Sequence, residues 1–185
     1  MTDRQRCTQA PQGAAAAAAV RHRAALPELE TPRLRLRVPV MADLPLWTQI
    51  FSSAEATQFG GPFDAEEAWA NFSTYVAGWL LHGHGLWSVE RRSDGALIGF
   101  VHLGLEWGDA EPELGWMFAP EARGQGYAAE AASAARDFGF DLLDTFVSCI
   151  DQTNAPSARL AARLGAVPDA SPYAGVNVWR HGRLG

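Results

Sequence analysis

The sequence predicts an α/β fold, a mixed central sheet of about six to seven strands flanked by helices. Three observations predict it. From Thr31 onward, stretches of apolar period two alternate with stretches of period 3.6. Two strand-like runs meet at Ser93-Asp94-Gly95, a hairpin signal that gives the sheet an antiparallel start. Finally, Glu113-Leu114-Gly115-Trp116-Met117-Phe118 passes through a glycine turn into an Ala-rich helix and then another strand, the signature of a βαβ crossover. With 185 residues and 48% hydrophobic content, the chain is long enough for one core and short for two.

The elements follow in order. Residues 1–28 read as an Ala/Arg-rich tail, disordered or transiently helical, with Ala14–Ala19 flanked by arginines and no chemistry assigned. Residues 29–185 read as a single domain. Arg33–Val38 alternates as a half-buried strand, and Asp43–Phe51 is a short helix with Leu46, Trp47, Ile50 and Phe51 as its apolar face. Asp64-Ala65-Glu66-Glu67 has capping-box spacing, and Ala68, Phe72, Tyr75, Val76, Trp79 and Leu80 recur at helical spacing behind it. Strands are expected at 86–90, 96–103, 113–118, 145–150 and 175–180, and further helices at 127–140 and 156–164. Pro156 suits a first helical turn, and Gly165 stands where a C′ glycine belongs.

Composition excludes several function classes. A net charge of −6 argues against nucleic acid or an anionic membrane as main partner and suits a cationic substrate. The two cysteines, Cys7 and Cys149, provide neither a disulfide framework nor metal-ligand spacing, which agrees with a reducing cytoplasm. The alanine run is too short and too weakly apolar for a signal peptide, and no stretch reaches the ~20 apolar residues of a membrane span. His82 and His84 lack a third ligand cluster, so they read as a polar loop, and no metal is expected. His102 lies mid-strand and could face the acceptor site; its bland alternative is a satisfied core or surface histidine. Trp107, in an acidic loop, is the tryptophan placed near a substrate.

The segment Arg123-Gly124-Gln125-Gly126-Tyr127-Ala128 carries the chemistry. A strand end, a glycine turn and a fresh helix N-terminus gather unpaired backbone N–H groups at one point, which favours a phosphate. A glycine turn that merely caps a helix would use the same residues. A Walker loop is excluded because Gly126-Tyr127-Ala128 lacks Gly-Lys-Ser/Thr. A dinucleotide fingerprint fits poorly because only two glycines are present and a long helix-and-strand region precedes them. Arg123, Gly126 and Ala128 do fit Arg/Gln-x-x-Gly-x-Gly/Ala. A second block, Asn154-Ala155-Pro156-Ser157 through Leu164-Gly165-Ala166, follows the strand at 145–150 directly.

Together these blocks resemble the GCN5-related N-acetyltransferase (GNAT) superfamily. Thr31-Pro32-Arg33-Leu34-Arg35-Leu36-Arg37 and Glu113-Leu114-Gly115-Trp116 with Pro120-Glu121 are similar to its RimJ/RimL-like ribosomal-protein branch. The resemblance covers residues 31–181. It implies acetyl-CoA as co-substrate, with its pyrophosphate on the amides of Arg123, Gly124, Gln125, Gly126, Tyr127 and Ala128, and charge added by Arg123. It implies that the fourth and fifth strands, 113–118 and 145–150, splay apart. The pantetheine arm would pair with main chain at Met117 and Phe118 and with the Asn154 side chain. Ser157 would lie at the thioester. A homodimer is a further expectation of the branch.

An amine must be neutral to attack a thioester, and the leaving thiolate must be stabilised. Glu113 is the candidate base; its bland alternative is a solvated strand-end carboxylate. Many superfamily members place a tyrosine acid where this chain has Ala161, so Ser157 becomes the candidate acid, its alternative being a capping hydroxyl. Tyr127 is a distant third. Glu106, Asp109 and Glu111 form an acidic loop suited to steering a cationic acceptor. Three functions follow: acetylation of a primary amine such as a protein N-terminus, acetylation of a small amine (polyamine, antibiotic or amino acid), or non-catalytic acyl-CoA binding. The loops at 52–64, 104–112 and 168–176 would choose the acceptor.

Overall fold

The computed structural model describes residues 3–183. Its centre is an eight-stranded sheet: β1 (Leu29–Glu30), β2 (Leu34–Arg37), β3 (Leu86–Arg91), β4 (Leu97–Gly104), β5 (Glu113–Phe118), β6 (Thr145–Asp151), β7 (Val167–Asp169) and β8 (Val176–Gly182). The spatial order is β1-β2-β3-β4-β5-β6-β8-β7. Every pairing is antiparallel except β5 with β6, which the crossover helix α4 (Tyr127–Leu142) connects. The expected α/β order therefore stands, with eight strands rather than six to seven. The two additional strands, β1 and β7, have two and three residues, too few to establish a period of two, and Pro168 inside β7 reads against a strand.

Helix α1 (Gly13–Arg23) precedes the sheet and has no buried residue, as an alanine run without an amphipathic stripe dictates. On one face of the sheet lie α2 (Leu44–Phe51) and α3 (Ala65–Leu81), whose Trp47, Phe51, Phe72 and Tyr75 pack with Leu86, Phe100 and Met117. The α3 N-terminus closes as its sequence demands. Asp64 accepts from the N–H groups of Glu66 and Glu67, both at 2.9 Å, and Glu67 reaches back to Asp64 N at 2.8 Å. The other face carries α4 and α5 (Ala155–Arg163). There Leu34, Leu36, Val89, Val101, Leu103, Leu114, Phe118 and Phe146 pack against Ala131, Ala132 and Ala135. Small residues let α4 approach the sheet closely, and a Cβ at Gly139 would stand 2.9 Å from the Phe146 ring.

One buried charge anchors the start of α2. The Asp43 carboxylate receives both Nη groups of Arg37 (2.6 and 2.9 Å), the Ser88 hydroxyl (2.7 Å) and Val40 N (2.9 Å). Arg37 also donates to Glu90 at 2.6 Å. This network is fully partnered, as a buried ion pair must be to avoid a large desolvation cost.

Candidate active site

β5 and β6 touch and then part. Among the described residues their Cα pairing is limited to Glu113 with Val147, where Val147 N donates to Pro112 O at 3.0 Å. A continued parallel ladder would carry Cys149 N to Leu114 O. Instead Cys149 N donates to the Glu113 carboxylate at 3.1 Å, and the Ser148 hydroxyl takes Leu114 O at 2.6 Å. Side chains thus take up both the donor and the acceptor of the next backbone bond at the apex. Beyond it, β5 pairs only with β4 and β6 only with β8. The fourth and fifth strands expected from the sequence, now β5 and β6, therefore present open facing edges.

The glycine turn follows β5 after one short 3-10 turn at Pro120–Ala122. Gly124 and Gly126 adopt φ of 74° and 80°, the left-handed region that glycine occupies without a Cβ clash. Among the described residues, the backbone N–H groups of Gly124, Gln125, Gly126, Tyr127, Ala128 and Ala129 meet no protein acceptor; the first helical bond is Glu130 N to Gly126 O at 3.1 Å. Six successive donors at the start of a helix with no side-chain cap form an anion cradle. Arg123, expected to add charge there, donates from Nε to Phe118 O at 3.0 Å and pairs with Glu55. It clips the turn to the end of β5. Met117 and Phe118 are both buried, and the Phe118 carbonyl already accepts this bond. Gln125 braces the turn through Glu121 O at 2.8 Å. Sequence reasoning missed Arg33, read as one polar position of an alternating strand. Its guanidinium lies 4.7 Å over the Tyr127 ring, binds Glu130 at 2.6 Å and reaches Gln125 O at 3.0 Å.

Across the opening, Asn154 caps α5, its Oδ1 accepting from Ser157 N at 3.1 Å. Ser157 Oγ accepts the indole N–H of Trp116 at 3.3 Å, which leaves its own proton free to donate. Trp116 packs against two clusters, one under α4 and one formed by Ile150, Ala161 and Ala166, so it spans the splay. Its contact with Ser157 joins residues 41 positions apart, beyond the reach of any local pattern.

Glu113 occupies the apex. Burial pushes its carboxyl up to about 8, opposed by the Cys149 N–H and reinforced by Asp109 and Glu106. It belongs to a cavity of about 40 Å³ with Asp109, Glu111, Cys149, Tyr173 and Arg180, room for an amino group or a few water molecules. Arg180 neutralises Glu111 through two bonds of 2.7 Å and holds Asp169 at 2.5 Å. Glu106 receives the Tyr75 hydroxyl, and Asp109 accepts from Glu106 N at 2.6 Å. Negative charge therefore remains concentrated beside Glu113. Burial, then Glu113, pushes the Cys149 thiol up to about 12, so it stays protonated and unreactive at neutral pH. Trp107 is fully exposed on this loop. His84 is buried with Nδ1 on Leu103 O at 2.8 Å, while His82 is exposed. Among the described residues, no group of three or more His, Cys, Asp or Glu side chains is placed to hold a metal ion, and no helix is long and apolar enough to cross a membrane.

The splayed strands, the donor-lined turn and the capped α5 are the parts a GNAT domain requires, and residues 33–167 match the model of the acetyltransferase (GNAT) domain family. The chain belongs to the GNAT family. It is an acetyltransferase, with acetyl-CoA as its co-substrate. It is 31% identical over 147 residues to the uncharacterized protein YkkB of Bacillus subtilis, covering 75% of this chain and 84% of that one. The crystal structure of the acetyltransferase from Agrobacterium tumefaciens str. C58 superposes with a TM-score of 0.81 at 36% identity, over 85% of this chain and 95% of that one. RimL, the ribosomal L7/L12 α-N-protein acetyltransferase solved with coenzyme A, superposes with a TM-score of 0.69 over 84% of this chain and 98% of that one. At 15% identity, that likeness is one of fold.

Proposed function

We propose that this acetyltransferase modifies a primary amine by direct attack in a ternary complex, and that its preferred acceptor is an α-amine such as a polypeptide N-terminus. The observation that carries the reading is Glu113, a half-buried residue at the apex of the splay whose carboxyl is pushed up to about 8 by desolvation. An α-ammonium near 7.8 passes its proton to such a carboxylate almost without cost. A lysine side chain near 10.4 would pay about 3 kcal/mol for the same transfer. The acidic surroundings of Glu106 and Asp109 attract the ammonium form before deprotonation.

Acetyl-CoA would lie along the open edges of β5 and β6, its pyrophosphate on the N–H groups of Gly124 to Ala129 and its pantetheine arm beside Asn154. Glu113 takes one proton from the ammonium. The neutral nitrogen then attacks the thioester carbon, the C–S bond breaks, and the second proton shed by the nitrogen passes to the departing thiolate through the Ser157 hydroxyl, oriented by Trp116, so that coenzyme A leaves as the thiol. RimL acts on a ribosomal protein's α-amine, and the shared fold supports the same acceptor class here.

The test is acetyl-CoA turnover, read as thiol release, against N-terminally free peptides, the same peptides blocked but carrying lysine, polyamines, aminoglycosides and free amino acids. Preference for free N-termini is expected. Preference for a small amine would move the acceptor class, and tight acetyl-CoA binding with no turnover for any amine would leave a non-catalytic binding module.

A further inference from the structure

β5 turns alternate residues to opposite faces. Leu114 and Phe118 point into the α4 cluster, Met117 into the α2–α3 cluster, and Glu113 and Gly115 share the Met117 face. Gly115 pairs with His102 of β4, and a Cβ built at Gly115 would stand 2.3 Å from His102 Nε2. The imidazole edge therefore fills the place of the missing side chain on β5. That place is one pleat beyond Glu113, on the strand whose far edge opens onto the splay.

The ring is held there by aromatic packing alone. The Tyr75 ring stacks on it at 4.4 Å and 23°, and the Tyr75 hydroxyl is committed to Glu106. His102 is 95% buried (5% exposed), and among the described residues neither ring nitrogen has a hydrogen-bond partner. Leaving a buried polar group unsatisfied costs roughly 1–3 kcal/mol, and such a group in a native fold calls for a partner that arrives later. The neighbours decide which partner. Glu113, Glu106 and Asp109 would repel an oxyanion and attract an amine.

We propose that His102 is a contact residue for the acceptor amine, its imidazole accepting a hydrogen bond from the amine N–H as the nitrogen turns towards the thioester. The inference rests on the acetyl-transfer reading above and adds a residue to it. Burial lowers the ring to about 3, so it is neutral across the working range and keeps one nitrogen lone pair available. Gly115 is then required because any side chain there would displace the ring from its place against β5.

His102→Phe separates a contact from a core filler. It conserves an aromatic ring for Tyr75 and removes two unpaired polar atoms, so the melting temperature should equal or exceed that of the wild type. Acetyl-CoA affinity should be unchanged by calorimetry, while kcat/KM for the best amine of the panel falls about tenfold, the value of one hydrogen bond. His102→Gln, which restores an acceptor, should recover part of that loss. Wild-type kcat/KM in His102→Phe would overturn the inference alone. A fall that comes with lower stability or weaker acetyl-CoA binding would also overturn it, marking a structural residue. Absence of turnover by the wild-type enzyme with every amine would overturn the acetyl-transfer reading and this inference with it.

Discussion

Replacing Glu113 with Gln removes the proposed base while keeping the shape of the apex and an acceptor for Cys149 N. With the carboxyl pushed up to about 8 and an α-amine near 7.8, the productive pair is ionised Glu113 with protonated amine. The product of the two fractions peaks near pH 7.9 at roughly 0.2 and falls about 20-fold by pH 6 and again by pH 9.8. Wild-type kcat/KM for a free N-terminus should therefore trace a bell. In Glu113→Gln only the neutral amine reacts, so the profile should rise through about 7.8 to a plateau, with a loss of about 10²- to 10³-fold at the wild-type optimum. A lysine acceptor would instead hold the wild-type profile high until about pH 10.4. The assay is thiol release from pH 6 to pH 10, with acetyl-CoA affinity measured alongside. A variant that keeps the bell, or loses less than about threefold, refutes Glu113 as base. Stability gives an independent check. The folded chain holds the Glu113 proton up to about 8 and the unfolded chain releases it near 4.5, so wild-type stability declines as pH rises between those values. The elevation bounds that decline at about 5 kcal/mol, so Glu113→Gln should melt near the wild type at pH 5 and above it at pH 9.

Trp116→Phe removes the donor to Ser157 Oγ and should lower kcat about three- to tenfold with acetyl-CoA affinity unchanged. In a Ser157→Ala background the same change should cost little more, and multiplicative losses in the double variant would separate Trp116 from Ser157. Gly126→Ala forces a side chain to φ of 80° and places a Cβ 3.4 Å from Arg33 Nη2. Acetyl-CoA affinity by calorimetry should weaken about fivefold or more as the amide cradle shifts by about 1 kcal/mol of backbone strain, and an unchanged Kd would remove the turn from the cofactor site. Asp64→Ala opens the capping box of α3 and should lower the melting temperature by about 2–4 °C, near 1 kcal/mol, with turnover little changed.

What the sequence made legible was local. The capping box at Asp64, the hairpin at Ser93-Asp94-Gly95 and the strand–turn–helix at 113–142 each place their signal within a few residues, and each forms where read. The unread parts are long-range. Trp116 meets Ser157 from 41 residues away and Tyr75 meets Glu106 from 31, through packing that no periodicity encodes. Arg123 illustrates the same limit from the other side: charge near a glycine turn suggested a phosphate ligand, whereas tertiary structure spends that guanidinium on Phe118 O and Glu55. For His102 the sequence left an acceptor-site contact and a core or surface histidine both open, because a mid-strand position says nothing about the residue across the ladder. Only pairing with a glycine gives its ring somewhere to go.

The splay and the turn are one device. Parting two parallel strands forfeits ladder bonds, a loss a fold tolerates only where water or a ligand replaces them. Glu113 and Ser148 limit the loss by taking up the donor and the acceptor of the first forfeited bond, so the sheet opens without leaving Cys149 N or Leu114 O unpartnered. That substitution also draws the Glu113 carboxyl into the protein, and burial there is what raises its pKa. The residue that repairs the sheet at the point of separation is thereby the same one that serves as base in the proposed reaction. From there the open edge of β5 leads, across one short 3-10 turn at Pro120–Ala122, to the unpaired donors of Gly124 to Ala129. An extended ligand carrying amides along its length and phosphates at its end satisfies both stretches together. A ligand with only one of these features would leave the other stretch to solvent, so truncating acetyl-CoA to a short acetyl thioester should cost far more than the contacts of the lost phosphates alone.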